Sequence, residues 1–254
     1  MVPLADAEID EFFERGFLVR PAVFAAAEIA EMRAAFDRLE ETAGRLGSTR
    51  MHRGALWVLE TVTAPDREAW VRIHRIVWCG AAEPALLRYG SDPRLLGMAA
   101  ALLGSRRMSH IINQAHFKLP GDGVEFPWHQ DSTHRRYGGS EWRDVNGRGS
   151  YVQTVIALDD VTEDNGPLRF LPGSGARGHL GILDPLPEPL READAVPAVM
   201  EAGGVLLFGP YVLHSSRPNH SLSPRRSLVN GFASPGANSR VYPGCGVGRM
   251  RHAP

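Results

Sequence analysis

The chain of 254 residues has little cysteine: Cys79 and Cys245 are the only two, far apart and in no CxxC pattern. A disulfide framework is therefore not expected, and a reducing cytoplasm is the expected compartment. The first residues lack a basic stretch followed by an apolar run, so we expect no secretory leader. The sequence also lacks an apolar run of the ~20 residues that a membrane-spanning helix needs.

An excess of either charge is also lacking. The 28 Lys and Arg residues nearly balance the 29 Asp and Glu residues, which gives a formal net charge of −1. No overall field therefore favours nucleic acid or a membrane surface, and we expect neither as a partner. Hydrophobic residues make up 43% of the chain, which is typical of a globular protein that buries its own core. We expect one domain over residues 1–254, and the sequence indicates no oligomeric state.

Helical patterns dominate the first part of the chain, residues 1–105. Apolar residues recur at helical spacing in residues 6–16 and 25–46, and a glycine follows each run. Asp92 and Pro93 are typical of the cap and first residue of a helix, which we expect to reach Gly104. Residues 66–78 are also interpreted as a helix.

Strand patterns dominate residues 106–235. Short, often β-branched segments are separated by Pro, Gly, Asn and Asp, and together with residues 17–20 they predict strands over residues 108–119, 150–158, 168–171, 205–208 and 225–233. Several short strands after a helical part favour a mainly β fold, a sandwich or barrel packed by N-terminal helices. Residues 183–197 are interpreted as a surface loop or short helix, and residues 236–254 as a C-terminal tail.

A His-x-Asp motif, His129 and Asp131, carries the most specific chemical signal. In an extended chain, residues two apart point to the same face, so both side chains are available to one metal ion. His214, just beyond the apolar segment 205–208, is the best third ligand. Two histidines and one carboxylate form the facial triad of non-haem Fe(II) oxygenases, which leaves coordination positions open.

The position of Arg225 in the sequence suits it to bind the carboxylate of a ligand near this triad. It follows His214 and opens the predicted strand 225–233, so it is expected to run back alongside the histidine. A guanidinium grips a carboxylate bidentately, and Ser216 adds a hydroxyl donor. A 2-oxo acid that chelates the iron would thus have its far carboxylate held. Arg226 points the opposite way in a strand and is interpreted as a solvated or structural charge.

These segments together resemble the phytanoyl-CoA dioxygenase (PhyH) family of Fe(II)/2-oxoglutarate oxygenases. The resemblance covers roughly residues 108–233 and depends on Trp128-His129-Gln130-Asp131, Asn165-Gly166-Pro167-Leu168, Leu171-Pro172-Gly173-Ser174, and His214-x-Ser216-x-x-Asn219-x-Ser221 followed by Arg225. HxD alone is a weak signal, but this ordered set is specific. Two positions depart from the family: Gly175 stands where histidine is usual, and Gly203-Gly204 stands where Gly-Asp is common.

The resemblance implies a double-stranded β-helix (jelly-roll, cupin-like) core with helices packed outside, and Fe(II), 2-oxoglutarate and O₂ as cofactor and cosubstrates. It also implies that Gln114, Gln130 and Ser216 lie close to 2-oxoglutarate. Halogenating relatives have a small residue where this chain has Asp131, so hydroxylation of a small organic molecule, such as a secondary metabolite, is the expected reaction.

Substrate contacts are expected from the basic and aromatic residues near the motif, namely Lys118, His134, Arg135 and Trp142. His110 and His116 are interpreted as core or rim histidines. His134 also permits a zinc site with His129 and Asp131. Two further alternatives remain: a zinc- or manganese-dependent hydrolase or isomerase on a similar barrel, and a non-catalytic barrel that binds a small molecule.

Overall fold

The computed structural model describes residues 3–64, 67–181, 183 and 186–254. Its helices are α1 (Asp6–Arg15), α2 (Ala26–Leu46), α3 (Pro84–Gly90), α4 (Pro93–Leu103) and the short α5 (Asp131–His134). The three helices predicted first are confirmed as α1, α2 and α4. Asp92 caps α4, because its side chain accepts a hydrogen bond of 2.9 Å from the backbone N–H of Arg94. None of these helices is both long enough and apolar enough to cross a membrane.

The described strands pair into two antiparallel sheets. They are β1 (Phe17–Arg20), β2 (Arg50–His52), β3 (Ala55–Ala64), β4 (Arg67–Val77), β5 (Arg107–His116), β6 (Phe126–His129), β7 (Tyr151–Ala157), β8 (Leu168–Phe170), β9 (Val196–Pro197), β10 (Val205–Phe208), β11 (His214–Ser216), β12 (Ser227–Ala233) and β13 (Arg249–His252). The major sheet has the order β1-β10-β7-β12-β5-β4-β3-β2, with β13 also on β5, and the minor sheet has the order β6-β11-β8-β9. The core is the expected jelly roll.

The helix expected over residues 66–78 is wrong, because residues 67–77 form strand β4; Asp66 lies outside the described residues. Val71, Ile73, Ile76 and Val77 are β-branched, which suits a strand. Strand β4 pairs with β3 along most of its length and places Ile76 opposite Ala115 of β5. Pairing with residues distant in the chain therefore decides the conformation of this segment.

All three parts of the chain contribute to the major sheet. Strands β2, β3 and β4 come from residues 1–105, which are therefore less helical than expected. Strand β13 comes from residues 236–254 and pairs with β5, so this tail is tied to the core. Between residues 183 and 197, the described residues form a short 3₁₀ turn, Glu192–Asp194, and strand β9; residues 184 and 185 lie outside the description.

Side chains of the major sheet alternate between two apolar cores. In β12, Leu228 and Phe232 pack in the larger core with the helix residue Phe36, whereas Val229 and Ala233 belong to the smaller core. This alternation follows from the two-residue period of a strand. The smaller core also contains side chains of the minor sheet, so it fixes the two sheets relative to each other and forms the wall behind the cavity described next.

Candidate metal centre

The triad meets where the minor sheet joins α5. Strand β6 ends at His129 and β11 begins at His214, and these two residues are Cα partners in the β6–β11 pair. Their ring centroids are 4.1 Å apart. Asp131 is the first residue of α5, so the chain turns into a helix after His129 instead of remaining extended as the motif suggested. One ligand atom from each residue lies within 4.8 Å of the other two.

Hydrogen bonds orient both imidazoles towards a common point. The Nδ1 atoms of His129 and His214 lie 2.8 Å and 3.0 Å from the carbonyl oxygens of Pro127 and Val212. Only a protonated Nδ1 donates to a carbonyl, so each Nε2 keeps its lone pair for a metal ion. Asp131 is also buried, and its Oδ2 accepts no hydrogen bond from any described residue. This oxygen is therefore free to act as the third ligand atom. These donors fit an iron ion.

The local charges keep the ligands in the protonation states that a metal ion requires. Burial, together with neighbouring His129, lowers the pKa of His214 to about 3, so its imidazole is neutral. Burial alone would raise the pKa of Asp131, but the nearby guanidinium of Arg135 and the surrounding histidines together outweigh this effect, and the pKa is lowered. Neutral imidazoles and an ionised carboxylate are the forms that bind divalent iron.

The triad opens into a cavity of ≈ 400 Å³, whose lining includes Arg225, Ser216 and Gln114. Arg225 is buried, and its Nε has no hydrogen-bond partner among the described residues; the same holds for the Ser216 hydroxyl. Burial lowers the pKa of Arg225 to about 10. Arg226 faces away from the cavity and binds Asp159 with a 2.9 Å Nε–Oδ2 hydrogen bond, as expected of a structural charge.

Three of the predicted contact residues lie outside the cavity lining. The Gln130 amide binds backbone groups instead, donating to the carbonyl of Gly178 at 2.9 Å and accepting from the N–H of Leu180 at 2.8 Å. Lys118 is buried and donates to the carbonyl of Val124 at 2.9 Å. Trp142 is stacked on a tyrosine ring in the smaller core. Each side chain thus stabilises a loop, because local packing satisfies its polar or apolar surface.

His134 and Arg135, the other predicted substrate contacts, do line the cavity. The His134 ring centroid is 5.0 Å from that of His129. Among the described residues, however, the ligand atoms that lie within 4.8 Å of one another are those of His129, Asp131 and His214, and His134 is not in this set. Arg135 lies beside the triad, with Nη2 3.9 Å from Asp131 Oδ2 and 3.1 Å from the hydroxyl of Tyr151.

The sequence did not reveal several further residues of the lining, among them Arg75, His116, Arg240 and Tyr242. His116 was interpreted as a core or rim residue, but it faces the cavity, and its Nε2 lies 2.9 Å from Gln114 Oε1. His110, in contrast, is fully buried between Trp78 and Phe232 as expected. Sequence alternation gave no usable signal for Arg75, because a register shift in strand β4 places Ile73 in the larger core and Arg75, two residues later, in the cavity lining.

Comparison with known proteins identifies the family. The phytanoyl-CoA dioxygenase (PhyH) family model matches residues 12–227. An L-proline trans-4-hydroxylase of Streptomyces griseoviridis is 26% identical, with 89% of this chain and 85% of that protein covered. An ectoine dioxygenase of Stutzerimonas stutzeri is 29% identical over 89% of this chain and 76% of that protein.

Solved structures agree on the fold. EvdO2 from Micromonospora carbonacea var. aurantiaca, complexed with 2-oxoglutarate, superposes with a TM-score of 0.66 at 24% identity, covering 93% of this chain and 94% of that one. These relatives do not favour a zinc or manganese hydrolase, an isomerase or a non-catalytic barrel. The chain belongs to the PhyH family and is an Fe(II)- and 2-oxoglutarate-dependent dioxygenase.

Proposed function

We propose that His129, Asp131 and His214 bind the Fe(II), that Arg225 and Ser216 bind the far carboxylate of 2-oxoglutarate, and that the enzyme hydroxylates a small organic molecule. The observation that carries this proposal is a set of buried polar atoms that the described residues leave without hydrogen bonds: Asp131 Oδ2, Ser216 Oγ and Arg225 Nε. Leaving such atoms unpaired costs roughly 1–3 kcal/mol each, and more for charged groups. Bound Fe(II) and 2-oxoglutarate would give all three of these atoms a partner, which explains why the fold leaves them unpaired.

The charges of these groups match the two ligands separately. Asp131 and two neutral imidazoles are a donor set for a divalent cation. Arg225 presents a planar, doubly donating cation to a carboxylate, with the Ser216 hydroxyl on the same cavity wall. Bound together, Fe(II) and 2-oxoglutarate supply the oxygen activation. The chain's own share is to hold these groups in place and to keep the site largely dry.

A small substrate suits the size of the site. A cavity of ≈ 400 Å³ lies in the lower part of the usual range of roughly 300–1,000 Å³ for ligand pockets, and it has to hold 2-oxoglutarate as well. Asp131 supports hydroxylation, because a carboxylate occupies the ligand position that halogenating relatives keep free. The L-proline hydroxylase and the ectoine dioxygenase are named for reactions on small molecules, which agrees with this expectation.

Iron binding and succinate formation test the assignment. We expect His214→Ala to lose bound Fe(II) and 2-oxoglutarate-dependent succinate formation, whereas His220→Ala, at an exposed histidine, keeps both. His134→Gln tests the alternative zinc geometry and is expected to retain the metal ion. Full metal content in His214→Ala, or its loss in His134→Gln, would contradict the proposed ligand set.

A further inference from the structure

The cavity holds more positive charge than iron and 2-oxoglutarate require. Its lining includes four arginines, Arg75, Arg135, Arg225 and Arg240, but Asp131 is the one carboxylate among the described lining residues. Fe(II) and the 2-oxoglutarate dianion cancel each other in charge. Four guanidinium groups against one carboxylate therefore leave three positive charges in excess. Arg135 and Arg225 are buried and Arg75 and Arg240 are partly buried, so water screens this excess only in part, and a bound anion would stabilise it.

Three of the four arginines have a partner or a proposed ligand. Arg225 is the proposed anchor of 2-oxoglutarate. Arg135 lies against Asp131 and donates to Tyr151. Arg240 donates to the backbone carbonyl of His134 at 2.9 Å, and its guanidinium lies 5.1 Å from the ring centroid of Tyr242.

Arg75 differs from the other three. It is half-buried in strand β4, and its guanidinium makes no hydrogen bond or ion pair with any residue in the described part of the chain. Its position in the sheet explains why it faces the cavity: Val77, two residues further on the same strand, also lines it, whereas Ile76 between them is buried in the larger core.

The surroundings of Arg75 place its charge close to the reaction centre. Burial lowers the pKa of Arg75, and nearby Arg135 lowers it further, so the two cations lie within electrostatic range of each other. The charge of Arg75 also contributes to lowering the pKa of His116 and of His134, after the larger effect of burial. His134 in turn is packed on the His129 ring. The pairing of Ile76 with Ala115 and of Val77 with Gln114 sets Arg75 next to His116 on strand β5, and both residues line the same cavity as the triad, so an anion bound by Arg75 shares that cavity.

We propose that the substrate is a small organic acid whose anionic group, a carboxylate or a phosphonate, is bound by Arg75 in the cavity that the triad lines. This inference rests on the proposed function and adds the substrate class. Arg240, which also lines the cavity, contributes a second positive charge. A guanidinium with all its donors free suits either planar carboxylate or tetrahedral phosphonate oxygens.

Titration of the anaerobic enzyme loaded with Fe(II) and 2-oxoglutarate tests this. The probes are isobutyrate and methylphosphonate, each compared with an uncharged counterpart, isobutyramide and dimethyl methylphosphonate. The readout is the change that each probe causes in the visible charge-transfer band of the complex. We expect the acids to bind at least about tenfold more tightly than the neutral probes, as one charge-assisted hydrogen bond provides. Tighter binding of isobutyrate would identify the anionic group of the substrate as a carboxylate, and tighter binding of methylphosphonate would identify it as a phosphonate.

Variants assign the effect to one residue. Arg75→Gln is expected to remove the preference for acids, Arg75→Lys to retain part of it, and Arg50→Gln, at an exposed arginine in the same sheet, to keep it whole. Equal binding of acids and neutral probes by the wild type would overturn the inference. So would equal effects of Arg75→Gln and Arg50→Gln, or a tenfold loss of 2-oxoglutarate affinity in Arg75→Gln. No band in the wild type would instead overturn the proposed function, and this inference with it.

Discussion

Replacing Arg225 by glutamine is expected to weaken 2-oxoglutarate binding strongly without harming the ligand-free fold. Truncating one partner of a buried, hydrogen-bonded charge pair costs roughly 2–5 kcal/mol. The dissociation constant for 2-oxoglutarate should therefore rise by about 30-fold to 4,000-fold. The wide range reflects how far the Ser216 hydroxyl, which stays in place, compensates for the lost cation.

The stability of the ligand-free protein should change in the opposite direction. Arg225 is 6% exposed, and described residues give its Nε no partner. Its burial lowers the pKa to about 10, which means that the folded state disfavours this charge. Removing the charge removes that cost, so ligand-free Arg225→Gln should unfold at a temperature no lower than the wild type.

Thermal unfolding under anaerobic Fe(II), with and without 2-oxoglutarate, measures both effects. At a ligand concentration of about 100 times the wild-type dissociation constant, the wild type should gain about 2.7 kcal/mol, and Arg225→Gln should gain at most about 0.9 kcal/mol. Arg226→Gln is the matched control: it loses the ion pairs with Asp159 and Asp37, so it should be less stable yet keep the full gain. A wild-type gain in Arg225→Gln, or a missing gain in Arg226→Gln, would show that Arg225 does not anchor 2-oxoglutarate.

Three further predictions follow from the packing. Burial lowers the pKa of His110 to about 3, so between pH ~6.5 and pH ~3 the unfolded chain binds a proton that the folded chain does not. The free energy of unfolding should therefore fall as the pH falls through this range. In urea unfolding at several pH values, His110→Gln should reduce this pH dependence by about 1.4 kcal/mol per pH unit. Gly166→Ala should lower the melting temperature more than Gly47→Ala. Both glycines have positive φ, but a Cβ at Gly166 would lie 2.4 Å from the Arg217 carbonyl oxygen, whereas a Cβ at Gly47 would meet open space. Gln130→Leu should destabilise the fold by roughly 2–4 kcal/mol in urea unfolding, because it leaves buried backbone groups unpaired, yet bind 2-oxoglutarate with unchanged affinity.

Local sequence patterns predicted much of the fold and the triad. Helices α1, α2 and α4 were visible because their periodicity and end signals are contained within a few turns of chain. The metal-binding motif of His129 and Asp131 was recognisable in the sequence because its two residues are only two positions apart. His214 and Arg225 followed from their spacing and from the family resemblance.

Features that depend on distant pairing were not predictable in the same way. Strand β4 is a strand because of its pairing with β3 and β5, and only that register turns Arg75 towards the cavity. Lys118, Gln130 and Trp142 have chemistry suited to ligands, but the packing of the loops around them directs their side chains to backbone groups and to the core. The direction of a loop side chain is a tertiary property.

The visible absorption of the anaerobic protein mixed with Fe(II) and 2-oxoglutarate is the most direct test of the proposed iron site. It needs no knowledge of the substrate. We expect a metal-to-ligand charge-transfer band in the wild type that is absent in His129→Ala, because that variant lacks one of the three proposed ligands. A well-folded wild-type protein that never develops the band, or a His129→Ala variant that develops it fully, would contradict the proposed iron site.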